Sequence, residues 1–181
     1  HFEGGAKEAR RSAGQWRERF GLPERFFLAS ARFVPEKNLL RLLDAFAVYR
    51  RRAGPDAWDL VLLGDGALRP AIERRIGRGD LAGHVVLPGF RQYDELPAFY
   101  GVAEAFVHAS TTEQWGLVVN EAMAAGLPVI VSERCGCVPD LVRDGENGFT
   151  FDPFEVEELA GLMQRIAAMT DEQRRALGEA G

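Results

Sequence analysis

The sequence predicts an α/β domain of Rossmann type, in which a doubly wound parallel sheet is covered by helices on both faces. Short apolar runs alternate with amphipathic stretches from residue 26 to residue 168. Such an alternation places successive strands parallel to one another, because each is joined to the next by a right-handed helical crossover. The chain of 181 residues is 46% hydrophobic and 27% charged, which suits one well-packed soluble core.

The elements follow one another with recognisable boundaries. A first helix, Lys7–Phe20, is expected to end at Gly21, shortly before Pro23. Six strand and helix pairs come next: strand Phe26–Ser30 with helix Lys37–Arg51, strand Asp59–Leu63 with helix Leu68–Ile76, strand His84–Leu87 with helix Asp94–Tyr100, strand Ala105–His108 with helix Gly116–Ala125, strand Pro128–Val131 with helix Pro139–Arg143, and strand Gly148–Phe151 with helix Glu155–Ala168. Ligands of such folds bind at the carboxyl ends of the strands, so the loops there are where chemistry is expected.

Composition narrows the function. The net charge of -5, without a basic stripe, argues against a nucleic-acid-binding surface. Apolar runs such as Leu60–Leu63 are far shorter than the ~20 residues that cross a bilayer, and no secretory leader opens the chain. We therefore expect a cytoplasmic protein. Cys135 and Cys137 flank one glycine, which is too tight for an ordinary disulfide and lacks further zinc ligands, so reduced structural thiols are expected.

The segment from Ser110 to Val131 carries the strongest functional signal. Glu113 lies in a polar loop before a predicted helix, and Glu121 lies inside that helix, which stops at Gly126. Between the two carboxylates, the unpaired N–H groups at the helix start attract an anion, because the helix dipole adds to their donor capacity. Two acids that can bind hydroxyl groups therefore flank a phosphate-sized anion site.

This combination resembles the donor-binding motif of the retaining, metal-independent glycosyltransferases of the GT-B fold, in particular the large family usually numbered four. In that family the first glutamate contacts the transferred sugar, the second contacts the ribose hydroxyls, and loop amides bind phosphate. The resemblance implies these roles for Glu113, Glu121 and the amides from Trp115 to Val118. It covers about residues 26–168 and rests on five loops in the same order.

Two basic residues follow the first strand. Arg32 and Lys37 straddle a strand-to-helix turn, and Lys37 is one of only two lysines beside 20 arginines. Both can reach a diphosphate, Arg through its planar fork and Lys as a point charge. The resembling family holds its nucleotide diphosphate with such a pair, although Ala31 stands here for the usual Gly. The alternative is a surface salt bridge of an exposed Lys37 with Glu36 or Asp44.

Three further loops are more ambiguous. Phe90 and Arg91 lie where the family cups the nucleobase, although Phe90 is favoured as a core residue. The turn Gly64–Gly66 matches a Gly-x-Gly turn of the family but fails as a dinucleotide fingerprint, because Arg69 replaces the third glycine and the turn follows the second strand. His108 has no visible carboxylate partner, so a structural role is expected.

The resemblance also implies a division of the chain. Residues 1–25 are expected to form a linker and helix segment, and residues 26–181 the donor-binding domain. The chain starts without Met and is taken as the C-terminal half of a GT-B enzyme, whose acceptor-binding half is absent. The implied partners are a nucleotide sugar and, through the missing half, a glycan, lipid or small-molecule acceptor. Peripheral attachment of the full-length protein to a membrane stays open.

The implied mechanism uses neither a metal ion nor a cofactor beyond the nucleotide-sugar donor, because preorganised cations and the helix N-terminus stabilise the diphosphate leaving group. The candidate catalytic residues are Glu113, Arg32 and Lys37. The candidate nucleotide-sugar contacts are Arg32, Lys37, Phe90, Arg91, Glu113, Trp115, Gly116, Leu117, Val118 and Glu121. Two other functions stay open: a non-catalytic nucleotide-sugar-binding module and, with less support, a nucleotide-dependent oxidoreductase. The isolated chain is expected to bind a nucleoside diphosphate but to transfer nothing.

Overall fold

A computed structural model describes residues 1–181 and confirms the predicted fold class. Six strands form one sheet in which every neighbouring pair is parallel, and the strand order is β3-β2-β1-β4-β5-β6. This is the order of a doubly wound Rossmann sheet, which reverses direction between β1 and β4. The strands are β1 (Phe26–Ser30), β2 (Asp59–Leu63), β3 (Val85–Gly89), β4 (Ala105–His108), β5 (Val129–Ser132) and β6 (Gly148–Phe151).

Nine α-helices cover the two faces of the sheet. They are α1 (Phe2–Arg11), α2 (Ala13–Phe20), α3 (Leu39–Ala53), α4 (Arg69–Ile76), α5 (Leu96–Val102), α6 (Leu117–Ala124), α7 (Val138–Leu141), α8 (Val156–Ala167) and α9 (Asp171–Glu179). Side chains alternate along each strand, so Phe27 faces α3 and α8, whereas Phe26 and Leu28 face the layer that contains α1, α5 and α6. Both layers are apolar, which explains why the inner strands are buried runs, whereas every residue of the edge strand β3 is only partly buried. None of the helices is long and apolar enough to cross a bilayer.

The N-terminal segment differs from its prediction. The single helix Lys7–Phe20 is wrong, because α1 begins at Phe2 and a break at Ser12 separates it from α2. Helix α1 packs closely on α5: a Cβ on Gly101 would lie 2.7 Å from the carbonyl oxygen of Ala6. The segment before residue 26 therefore packs against the sheet domain, while the functional division of the chain at that residue stays a prediction.

One helix boundary and one additional helix also differ from the predictions, each for a physical reason. The helix predicted from Lys37 begins at Leu39, because a short 3-10 turn, Pro35–Lys37, and a left-handed Asn38 come first. Helix α9 was not predicted at all. It begins at a capping box, in which the Thr170 hydroxyl accepts from the amide of Gln173 and the Gln173 side chain accepts from the amide of Thr170.

Candidate functional site

The site lies where the strand order reverses. Strands β1 and β4 are neighbours, so their carboxyl ends open into one crevice, which is the usual ligand position in such sheets. The loop after β1 carries Arg32 and Lys37, and the loop after β4 carries Glu113 and leads into α6. The two loops are joined by their backbones, because the amide of Thr111 donates to the carbonyl of Glu36 at 2.9 Å.

Lys37 and Glu113 form an ion pair across this crevice. The ammonium Nζ donates to Glu113 Oε2, and the two side chains are 16% and 19% exposed. The expected exposure of Lys37 is therefore wrong, and its ion-pair partner is neither Glu36 nor Asp44. Asp44 instead accepts from Arg75 Nε at 2.7 Å. Lys37 is the last residue of the 3-10 turn that precedes Asn38, and its side chain crosses to the loop after β4.

His108, at the end of β4, contacts the same Glu113 carboxylate. It is 3% exposed, and its Nε2 lies 3.3 Å from Glu113 Oε2 and 3.2 Å from Ser110 Oγ. The prediction that His108 lacks a carboxylate partner is thus wrong, because the turn after β4 folds Glu113 back over the strand end. Hydrogen bonds from His108 and Lys37 lower the pKa of Glu113 to about 2, against the opposing effect of burial. Both bonds use Oε2, so Oε1 remains available as an acceptor.

Asn38 fixes the residue next to Lys37. It is the only non-glycine residue with a positive φ, 55°. Its amide Nδ2 donates to the carbonyl of Ala109 at 3.1 Å and to that of Pro153 at 2.8 Å. One side chain therefore connects the loops after β1, β4 and β6, and this holds the backbone of Lys37 in place.

The loop that carries Glu113 rests on the loop after β5. The amide of Gly136 donates to the carbonyl of Glu113 at 3.0 Å, and the amide of Cys137 donates to the carbonyl of Trp115 at 3.1 Å. A Cβ on Gly136 would lie 1.9 Å from the carbonyl oxygen of Gln114. Only glycine permits this close approach, so residue 136 determines where the Glu113 loop lies.

The two cysteines beside this glycine are free and buried, as predicted. Burial raises the pKa of Cys135 to about 12 and also raises the pKa of Cys137. Burial therefore favours the protonated form of both thiols.

The N-terminus of α6 faces the same crevice. Gly116 is its N-cap, with a φ of 100° and no side-chain cap, and the amides of Gly116, Leu117 and Val118 donate to no protein acceptor. Leu117 is 70% exposed, and the indole of Trp115 donates to Asn120 Oδ1 at 2.8 Å. Open amides at a helix start can bind an anion.

Glu121 lies deeper along α6 and has a different environment. It is half-buried, and its single side-chain partner is the hydroxyl of Tyr100, which donates to Oε2 at 2.9 Å. Burial raises the pKa of Glu121, and the Tyr100 bond lowers it by less. Sequence reasoning missed Tyr100, because an aromatic residue on an apolar helix face is indistinguishable from ordinary core.

Comparison with known proteins decides the family. A family model described as glycosyl transferases group 1 matches residues 13–181. The chain belongs to this family. It is similar to the alpha-D-kanosaminyltransferase of Streptomyces kanamyceticus, with 33% identity over 166 residues. It is also similar to a GDP-mannose-dependent alpha-(1-6)-phosphatidylinositol monomannoside mannosyltransferase of Mycolicibacterium smegmatis, with 32% identity over 174 residues. Each match covers 91% of this chain but only 42% and 44% of the relatives, so the chain spans less than half of their length.

Solved structures agree with this family assignment. HepE of Anabaena in complex with UDP and glucose has 27% identity and a TM-score of 0.79, covering 92% of this chain and 45% of that one. Sucrose-phosphate synthase of Thermosynechococcus elongatus has 31% identity and a TM-score of 0.80, covering 92% and 42%. The C-terminal domain of the group 1 protein LpcC from Francisella tularensis has the same fold, with 22% identity, a TM-score of 0.79 and coverage of 92% and 86%. The sheet is that of a GT-B C-terminal domain.

Three predicted contacts of this group 1 domain lie outside the Lys37 and Glu113 cluster. Arg32 is exposed at the end of β1 and has no ion pair. Phe90 is 70% exposed, so its expected burial in the core is wrong. The guanidinium of Arg91 lies 4.9 Å from the ring centroid of Phe20 and 5.8 Å from that of Phe99, which places it against α2 and α5. The roles of these residues in nucleotide binding stay predictions.

The Gly-x-Gly turn has a structural explanation within the domain. Gly64 and Gly66 have φ values of 119° and 153°, and a Cβ would lie 1.9 Å from the carbonyl oxygen of Ala31 and 2.7 Å from that of Phe33, respectively. These glycines therefore let the loop that carries Arg32 pack directly on the end of β2.

Proposed function

We propose that this chain is the donor-binding half of a longer glycosyltransferase, which uses a nucleotide-diphosphate sugar in a metal-independent, retaining transfer. One observation carries the proposal: Lys37, Glu113 and the open amides of α6 converge at the point where the strand order reverses. The similarity to HepE, whose structures contain UDP and glucose, supports a nucleotide sugar as the ligand.

The diphosphate is assigned to the positive side of the crevice. Lys37, the exposed Arg32 and the α6 amides can each donate to phosphate oxygens, and together they stabilise the charge that develops on the leaving diphosphate. Lys37 must exchange its bond with Glu113 for a bond with phosphate. His108 then keeps hold of Glu113 Oε2, and Oε1 accepts from a hydroxyl of the transferred sugar.

The whole enzyme requires parts that this chain does not contain. We place the acceptor, which is a glycan, a lipid or a small molecule, on the missing half of the cleft. The retaining stereochemistry and the cytoplasmic location, with or without attachment at a membrane face, belong to the same proposal. We assign the diphosphate to the cations of the protein itself.

Calorimetric titration of the 181-residue chain with UDP, GDP and NAD tests the ligand class. We expect weak binding of UDP or GDP, unchanged by EDTA, no binding of NAD, and no transfer of sugar by the isolated chain. Binding of NAD alone would support an oxidoreductase instead. If EDTA abolished binding and Mg²⁺ restored it, the assignment of Arg32 and Lys37 to the diphosphate would be wrong.

Lys37→Met tests the site itself. Removal of a charge-assisted contact to phosphate is expected to cost about 1.5 to 3 kcal/mol, or roughly ten- to a hundredfold in affinity for the diphosphate, because a hydrogen bond to a charged group contributes about this much. Lys37→Arg should restore only part of it. Lys7→Met is the matched control, since Lys7 is the only other lysine, lies on α1 and is 62% exposed. The uncharged nucleoside should bind all four proteins equally, and an unchanged diphosphate affinity in Lys37→Met would exclude Lys37 from the site.

A further inference from the structure

The hydroxyl of the buried Tyr100 lies next to Glu121 in the proposed donor site. Tyr100 is fully buried, and its ring stacks on Phe106 with a centroid separation of 5.5 Å and meets Phe2 edge-on at 5.3 Å. Its hydroxyl donates to Glu121 Oε2, and the Ser30 hydroxyl at the end of β1 faces the same phenol oxygen. The aromatic contacts fix the ring, so the position of the phenol oxygen is fixed as well.

We propose that Tyr100 is a positioning residue for nucleotide binding, which holds Glu121 Oε2 so that Oε1 points to a pair of hydroxyl groups on the ligand. This inference rests on the proposed function, in which Glu121 binds the ribose. Tyr100 acts through Glu121 and makes no contact with the ligand itself.

The carboxylate depends on this support because its only side-chain hydrogen bond comes from Tyr100. No Lys, Arg or His side chain contacts Glu121, in contrast to Glu113. The group that faces it from α5 is Tyr100, and burial raises the pKa of Glu121 despite that bond. Without the phenol hydroxyl, Glu121 would bind a proton at a higher pH and its carboxyl group would be free to rotate.

A second buried tyrosine provides a matched control. Tyr49 is also fully buried, and its hydroxyl accepts from the amide of Trp58 at 2.8 Å. It packs on the opposite face of the sheet, with Phe27 and Phe46. Tyr49→Phe therefore removes an equally buried, hydrogen-bonded hydroxyl without reaching the donor site.

The experiment compares Tyr100→Phe with Tyr49→Phe by calorimetry with UDP and GDP between pH 5 and pH 9. Tyr100→Phe is expected to lose roughly tenfold in affinity near neutral pH, since one hydrogen bond to a charged group is missing, and to recover part of it at higher pH. Tyr49→Phe should bind within about twofold of the parent across the range. In the ligand-free proteins, carbon-13 NMR of the Glu121 carboxyl should show its titration midpoint raised in Tyr100→Phe only.

The outcomes separate the inference from the proposed function. If the parent binds neither UDP nor GDP, the proposed function fails and the inference fails with it. If Glu121→Ala loses affinity while Tyr100→Phe keeps both the parental affinity and the parental midpoint, only the role of Tyr100 is overturned. If circular dichroism shows that Tyr100→Phe is unfolded, a second experiment tests the inference. Fluorotyrosine is incorporated into the double variant Tyr49→Phe, Tyr93→Phe, in which Tyr100 is the only tyrosine left. The stronger donor must lower the Glu121 midpoint, and no change would refute the inference.

Discussion

Glu113 and Glu121 lie eight residues apart and serve one crevice, yet their surroundings are opposite. Glu113 has a cationic partner, Lys37, and a hydrogen bond from His108, and its pKa is lowered to about 2. Glu121 has a neutral partner, Tyr100, and burial raises its pKa. The ionised Glu113 carboxylate therefore stabilises the folded state, whereas the ionised Glu121 carboxylate destabilises it. The comparison shows that a shared motif does not imply a shared energetic role.

The two residues also give opposite pH dependences. The pKa of Glu113 is lower in the folded state than in the unfolded chain, so its stabilising contribution is present above pH 4.5 and is lost as the pH falls from 4.5 towards 2. The pKa of Glu121 is higher in the folded state, so its contribution is complete below pH 4.5 and is lost as the pH rises through its folded pKa. The ionised form of Glu121 therefore opposes folding.

The largest expected effect on stability comes from the loop after β5, which supports the loop of Glu113 but not Glu121. Gly136→Ala should cost about 2 to 4 kcal/mol of unfolding free energy, because the new Cβ meets a backbone carbonyl and the whole loop must shift. Urea denaturation measures this. Gly14→Ala is the control, since a Cβ there has nothing within 4 Å, and it should not destabilise the chain. If Gly136→Ala and Gly14→Ala were equally stable, the loops after β4 and β5 would not be tightly packed against each other.

A smaller effect is expected from Glu113→Gln. At pH 7 it should lose about 1 to 2 kcal/mol of unfolding free energy, since the largely buried Lys37 keeps its charge without its ionised partner. Urea denaturation from pH 7 to pH 2 should show the difference from the parent shrinking below pH 4.5. Glu3→Gln removes the partner of the exposed Lys7 and should leave stability almost unchanged. If the loss of unfolding free energy did not depend on pH, the ion pair between Lys37 and Glu113 would not be its cause.

The smallest effect, and the one of opposite sign, is expected from Glu121→Gln. It should raise the unfolding free energy at pH 7 by less than about 1 kcal/mol, because a half-buried charge is replaced by a neutral amide of similar shape. The gain should disappear below pH 4.5, where the parent is protonated too. Thermal denaturation at pH 7 and pH 4 measures it. A lower stability of the variant at pH 7 would contradict the distinction between the two glutamates.

Most of the strands and helices could be predicted from the sequence, because they are encoded by local patterns of apolar residues. Six apolar runs and the helices between them were sufficient to place Lys37 and Glu113 at the same edge of the sheet. The sequence did not show that these two side chains pair, since that depends on the conformations of two separate loops. The partner of His108 was hidden for a similar reason, because a tight turn after β4 brings Glu113 back over the strand. Tyr100 gave no signal, because its role depends on a single buried hydroxyl.

Asn38 has a further consequence for how tightly the crevice can bind a ligand. A residue held in the left-handed region, with its side chain bound to two carbonyls, leaves the preceding Lys37 few backbone conformations to explore. The ordering of this segment is therefore complete once the chain has folded, and a ligand that arrives later need not immobilise it. Asn38→Gly would keep the backbone angle and lose the two bonds. The crevice would then resemble a mobile loop that closes on its ligand rather than a receptor already in its binding shape.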